Sequence, residues 1–194
     1  MENIILASAS PRRRELLQML GLRFTVCPSD KEEALTAASP RELVEALARQ
    51  KAEDIFSRQT GDAVVIGSDT VVSAEDGTIF GKPADAEDAA RMLRQLSGRR
   101  HRVSTGAAVY VRRDGRERRE SFVSESVVWM DELSPAEIEA YIASGEPMDK
   151  AGAYGIQGLG AKYISRIEGD YYTVVGLPVH ELYKKLKEMQ VISV

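Results

Sequence analysis

The chain has 194 residues, 43% hydrophobic and 29% charged, with 26 Lys and Arg against 30 Asp and Glu for a net charge of −4. That length suits one sizeable core or two small lobes around a cleft, and the acidic balance argues against broad nucleic-acid binding. A single cysteine, Cys27, and two histidines exclude an internal disulfide and an ordinary structural zinc site, so any catalytic metal must be a hard cation on oxygen ligands. The short apolar run at residues 4–9 precedes its arginines, the wrong order for a signal peptide, and no stretch is long enough to span a bilayer. The expectation is a cytoplasmic protein made of one domain over residues 1–194.

Residues 4–7 read as a short buried strand. SASPRRRELLQMLG then switches to a helix, with Ser10 as N-cap, Pro11 at the first helical position, an apolar stripe of Leu16, Leu17 and Leu20, and Gly21 as stop. Residues 24–27 read as a second strand and PSDKEEALTAA as a polar, mobile loop. SPRELVEALARQKAEDIF is a helix opened by the capping-box pattern Ser39 and Glu42. The run AVVIGSDTVVSAEDGTIFGKP predicts a hairpin turning at Asp76-Gly77. DAEDAARMLRQLSG is an amphipathic helix capped by Asp85 and stopped by Gly98. Residues 103–111 and 122–130 read as strands joined at Asp114-Gly115, and SPAEIEAYIASG repeats the capping pattern with Ser134 and Glu137. The tail predicts strands at 161–167 and 171–175 and a last helix after Pro178. Strands and helices mix without strict alternation, which predicts an α/β fold with a mixed sheet.

Four places carry candidate chemistry. In SASPRRR a strand feeds a Ser-rich turn and a helix N-terminus, an arrangement that makes an anion site from backbone N–H groups. Ser8 and Ser10 add hydroxyls, and Arg12 and Arg13 add charged forks suited to phosphate oxygens. Three arginines in the first turn oppose the helix dipole, and a bound polyanion would relieve the conflict. The bland reading is a solvated helix start. The second place is Asp69, an acid inside an apolar strand, which must be paired, hydrated or bound to metal. A two-residue loop at Asp76-Gly77 would set Lys82 opposite Val71 and diagonal to Asp69, about 7–8 Å away. Such a pair is either a structural ion pair or the two sides of a phosphate site. Lys51 falls among Val44, Leu47 and Ile55 on the apolar face of its helix, so it either snorkels or points its ammonium into a site. Glu32 and Glu33 are a solvated pair or complete a metal site with Asp69.

The fourth place is DKAGAYGIQGLGAKY, whose glycines permit close approach to a ligand. Gln157 both donates and accepts, as reading the edge of a base requires, although an incidental amide in a glycine-rich turn is the alternative. Neither a Walker A pattern nor a strand-linked G-x-G-x-x-G is present, and Cys27, His101 and His180 have no triad partner nearby in sequence.

Taken in order, SASPRRRELL, the Glu32-Glu33 loop, ARQKA, GSDTVV, GKP, LSGRRHRV, EPMDKAGAYGIQG and GDYYTVVGLP resemble the Maf family of nucleoside triphosphate pyrophosphatases, from Ile4 to about Leu186. The resemblance implies the ITPase-like fold: a mixed α/β protein with a long bent sheet, flanking helices and two lobes around a central cleft. It implies hydrolysis of a nucleoside triphosphate to the monophosphate and pyrophosphate with a divalent cation (magnesium, manganese or cobalt). DKAGAYGIQG resembles the branch acting on dTTP, UTP and modified uridine nucleotides. Carried over by position, Asp69 matches the proton acceptor, and Arg12, Thr70 and Gln157 match specificity positions. Ser8, Arg13, Lys51 and Lys82 match phosphate-contacting positions, and Glu33 matches the loop acid linked to metal. Ser68 is a small departure, standing where Ala is more usual. A homodimer is a further family expectation; a stable nucleic-acid or membrane partner is not expected. The alternatives are a phosphatase releasing single phosphates and a nucleotide-binding regulator of cell division, or septum formation, that needs no catalysis.

Overall fold

The computed structural model describes residues 3–31 and 39–192. Its elements follow in the order β1 (Ile4–Leu6), α1 (Pro11–Gln18), β2 (Thr25–Val26), α2 (Pro40–Phe56), β3 (Ala63–Ser73), β4 (Ile79–Phe80), α3 (Ala86–Leu96), β5 (Arg100–Arg113), β6 (Arg116–Met130), α4 (Pro135–Ala143), β7 (Ile164–Glu168), α5 (Tyr171–Val175) and α6 (Val179–Glu188). The strands form one seven-stranded sheet in the order β2-β1-β3-β5-β6-β7, with β4 also pairing β3. It is mixed as expected: β1 runs parallel to β2 and β3, whereas β3–β4 and β6–β7 are antiparallel. No helix of the described residues is long and apolar enough to cross a membrane.

The described residues fall into two compact units. The first lies within Met1–Asp69, Thr105–Ser124 and Gly176–Val194, and the second within Thr70–Ser104 and Glu125–Val175. One core of the first unit packs Ala48, Ala52, Ile55 and Phe56 of α2 onto Ile5, Val65, Ala108 and Tyr110 of the sheet. Two glycines let α2 press this close. A Cβ at Gly67 would lie 2.4 Å from the Ala48 carbonyl oxygen, and one at Gly106 would lie 2.3 Å from that of Val44. The second unit's core gathers Phe80, Leu93, Leu96, Val103, Val128, Ile138, Tyr141, Tyr154 and Tyr163.

The local capping chemistry forms where the sequence placed it. Ser10, Ser39, Asp85 and Ser134 each accept from the backbone N–H three residues on, and Ser134 with Glu137 closes a full reciprocal box. Asp114 and Gly115, at φ 50° and 75°, make the two-residue turn between β5 and β6.

Three expectations are corrected. The β3–β4 loop holds three residues, not two: Ala74 N–H bonds the Thr78 carbonyl, and Gly77 sits at φ 89°. The register becomes Val72↔Phe80 and Ser73↔Ile79, and β4 ends there, so Lys82 is not paired opposite Val71. A one-residue slip exchanges the faces of every paired side chain, which removes the basis for a diagonal relation between Lys82 and Asp69. Residues 171–175 are helical, because Asp170 Oδ2 accepts from both the N–H and the hydroxyl of Thr173 and so caps a turn in a β-branched stretch. Residues 158–163 form a 3-10 turn and the strand begins only at Ile164.

Candidate active site

The site begins with β3, whose residues from Ala63 to Asp69 are all buried, so both faces of the strand are covered. Side chains alternate along it, which puts Val65, Gly67 and Asp69 on one face. Val65 packs on Ala48 and Ala52, and Gly67 touches the backbone at those same two residues. The next position toward Asp69 therefore meets Lys51, which precedes Ala52 on α2. Lys51 Nζ donates to Asp69 Oδ1 in a short charge-assisted hydrogen bond, with the two side chains only 16% and 11% exposed. Of the two readings of Lys51, the structure shows a lysine whose ammonium is turned inward onto a carboxylate.

Ser68, on the opposite face, is fully buried, and its hydroxyl is shared between the carbonyl oxygens of Gly106 at 2.8 Å and Gly176 at 3.1 Å. The Gly176 carbonyl also accepts from Arg13 Nε at 2.9 Å, and the same guanidinium reaches Ser8 Oγ at 3.3 Å. Ser8 Oγ in turn accepts from the Ser10 N–H at 3.2 Å, and Ser10 caps α1. Ser8, Ser10 and Arg13 are thus one hydrogen-bonded turn, tied through Gly176 to the residue next to Asp69. The first turn of α1 holds no acid to offset its arginines. Arg12 is half-buried there.

Ser8, Ser10, Arg12, Arg13, Lys51 and Asp69 all belong to the first unit, where Ser8, Ser10 and Arg13 join in one turn and Lys51 meets Asp69. In the second unit Thr70 is half-buried on β3, Lys82 is exposed just past β4, and Gln157 is half-buried in the glycine-rich segment. Glu32 and Glu33, and with them most of the expected mobile loop, lie outside the described residues. Among the described residues no group of three or more His, Cys, Asp or Glu side chains gathers as a metal site. Asp69 offers one hard oxygen donor, the type a magnesium-like ion uses when it binds through one or two carboxylates and substrate phosphates.

Sequence reasoning gave no weight to Ser68 and did not single out Gly176, Tyr141 or Glu146. For Ser68 the signal was present, a hydroxyl replacing an apolar neighbour inside a buried strand, where an unmade hydrogen bond is costly. Glu146 opens the EPMDKAGAYGIQG block, but two of its three partners are backbone N–H groups, which leave no mark in side-chain identity.

His101 is buried with Nε2 at 2.6 Å from the Tyr154 hydroxyl, and its Nδ1 has no hydrogen-bond partner. Burial pushes the imidazole down to about 4, so the ring is neutral and structural.

The model of a family described as Maf-like protein matches residues 3–189. A protein named dTTP/UTP pyrophosphatase from Alkaliphilus oremlandii is 52% identical over 94% of this chain and 93% of its own length. One of the same name from Agathobacter rectalis is 48% identical over 98% of this chain and 99% of its own, and one from Symbiobacterium thermophilum is 50% identical over 97% and 94%. Among solved structures, a HAM1 protein from Coxiella burnetii aligns with 97% of this chain and all of its own at 17% identity and a TM-score of 0.48.

Proposed function

This chain belongs to the Maf-like protein family, and on that premise we propose that it hydrolyses dTTP and UTP to the monophosphate and pyrophosphate. Modified uridine triphosphates fall in the same class, and removing them would be a house-cleaning activity. The observation that carries the reading is the Lys51–Asp69 pair in the buried interior, beside an arginine- and serine-lined turn with no acid of its own. In the proposed reaction, Asp69 orients a water and takes its proton. The water oxygen bonds to phosphorus as the α–β anhydride bond breaks, and pyrophosphate carries away the electron pair. No nucleophilic side chain is required, because phosphoryl transfer needs positioning and charge neutralisation above all. Ser8, Ser10, Arg12 and Arg13 hold phosphate oxygens, and Lys51 neutralises charge next to the acid. Lys82 is assigned a further phosphate contact, and Thr70 and Gln157 the selection of the base. A divalent cation (magnesium, manganese or cobalt) would be held by Asp69 and Glu33 and would neutralise phosphate charge when bound.

A nucleotide panel with product identification tests this. Metal-dependent release of pyrophosphate from dTTP and UTP, in preference to ITP and 7-methyl-GTP, is the expected result. Release of single phosphates, or a purine preference, would overturn it.

A further inference from the structure

The glycine-rich segment that carries Gln157 is gripped on both sides of that residue. On one side the Gly155 N–H donates to the Tyr141 hydroxyl at 3.1 Å. On the other, the Leu159 N–H donates to Glu146 Oε2 at 2.8 Å and the Gly160 N–H to Oε1 at 3.0 Å. The Tyr141 hydroxyl closes the circuit by donating to Glu146 Oε1 at 2.9 Å. Two side chains thus hold three backbone amides that bracket Gln157. The glycines are the counterpart of this grip. A Cβ on Gly160 would lie 2.4 Å from the Tyr141 hydroxyl oxygen, and one on Gly158, at φ +76°, would lie 2.6 Å from Glu146 Oε2.

The holders are themselves held. Tyr141 is buried on α4, whose start is fixed by the Ser134–Glu137 capping box. Lys150 Nζ donates to the Glu146 carbonyl at 2.6 Å and to Asp149 Oδ1 at 2.7 Å, and its stem lies where a Cβ on Gly155 would need to be. Burial raises the Glu146 carboxyl, but the Leu159 and Gly160 amides and the Tyr141 hydroxyl outweigh it and keep it below the usual range. The carboxylate is therefore ionised at neutral pH and accepts with full charge. Between the two grips Gln157 has an extended backbone, at φ −97° and ψ 156°. Among the described residues no hydrogen bond occupies its side-chain amide, so that amide can serve a ligand.

We propose that Glu146, with Tyr141 behind it, is a positioning residue for base selection: it sets the backbone from which Gln157 reads a pyrimidine edge. This rests on Gln157 being the base reader, as assigned above. An amide carried by a segment free to move would pay an ordering cost on each binding event, and its discrimination between bases would fall.

The test is steady-state kinetics of Glu146→Gln, Tyr141→Phe, Gln157→Ala and the Glu146→Gln/Gln157→Ala double variant on dTTP, UTP and ITP. Glu146→Gln is expected to raise KM for dTTP and UTP roughly tenfold, leave kcat within about twofold, and shrink the preference over ITP. In the Gln157→Ala background the same substitution should add little, because it acts through the residue already removed. A Glu146→Gln variant with a lowered melting temperature and an intact base preference would overturn the proposal, as would additive effects in the double variant. Gln157→Ala with an unchanged preference would instead remove the base-reading assignment, and the proposal with it. Should Glu146→Gln fail to fold, Tyr141→Phe removes the Gly155 anchor and the hydrogen bond to Glu146, and carries the same comparison through the other half of the grip.

Discussion

Lys51 of α2 donates to the carboxylate of Asp69 on β3, and both side chains are largely withdrawn from water. The pair exists because Gly67, two residues before Asp69 on the same face, has no side chain to keep α2 away. Removing one member of such a pair leaves the other buried and uncompensated. Asp69→Asn is therefore expected to fold with reduced stability and to lose about 10²–10⁴ of its turnover, the usual contribution of a general base. Pyrophosphate release from dTTP measures this; near-normal metal-dependent turnover would end the assignment.

Gly67→Ala places a methyl group 2.4 Å from a backbone oxygen that no rotamer change can move aside. Overpacking of this kind costs about 1–3 kcal/mol. Urea denaturation should show that loss, and because the helix must back away from the strand, kcat should fall with it. A variant of unchanged stability would mean that α2 does not sit on β3 as described.

Ser68→Ala removes a hydroxyl that bridges the carbonyls of Gly106 and Gly176. The expected loss is about 1 kcal/mol in stability, the net worth of a typical buried hydrogen bond. Arg13 keeps its bonds to Gly176 and Ser8, so KM for dTTP should change much less than in Arg13→Lys, which has no fork to make both bonds. Equal KM effects in the two variants would contradict this division of roles.

His101 supplies a pH dependence with a definite sign. The unfolded ring binds a proton near 6.5, whereas burial pushes the folded ring down to about 4. Between those values the unfolded state holds more protons, so stability falls as the pH falls from 6.5 toward 4 and levels off below. The full difference is about 3 kcal/mol. Urea midpoints across that range measure it, and an NMR titration should show the His101 ring still neutral at pH 5.5; protonation there would refute the assignment.

Much of this protein is legible in short stretches of its sequence. Helix starts at Ser10, Ser39, Asp85 and Ser134 were readable because a cap is a bond between a side chain and a backbone group three residues away. Residues 171–175 misled for a related reason: Tyr, Thr and Val favour strands only weakly, and the Asp170 cap decided for a helix. The β3–β4 register slipped because Asp-Gly suits both two- and three-residue loops, and Ala74–Thr78 pairing chose the longer.

The mixed α/β class, the capped serine- and arginine-rich turn at the start of α1 and the need of Asp69 for a partner were legible in the sequence alone, since they follow from element patterning, local capping and the cost of an unpaired buried charge, and the family was legible in its motif blocks. Packing alone settles that the partner is Lys51, that Ser68 and Arg13 meet on the Gly176 carbonyl, and that Glu146 grips the segment carrying Gln157. Each of those contacts joins residues well separated along the chain, often through a backbone group common to every amino acid. No pattern of residue types records such a contact before the helices and strands have packed.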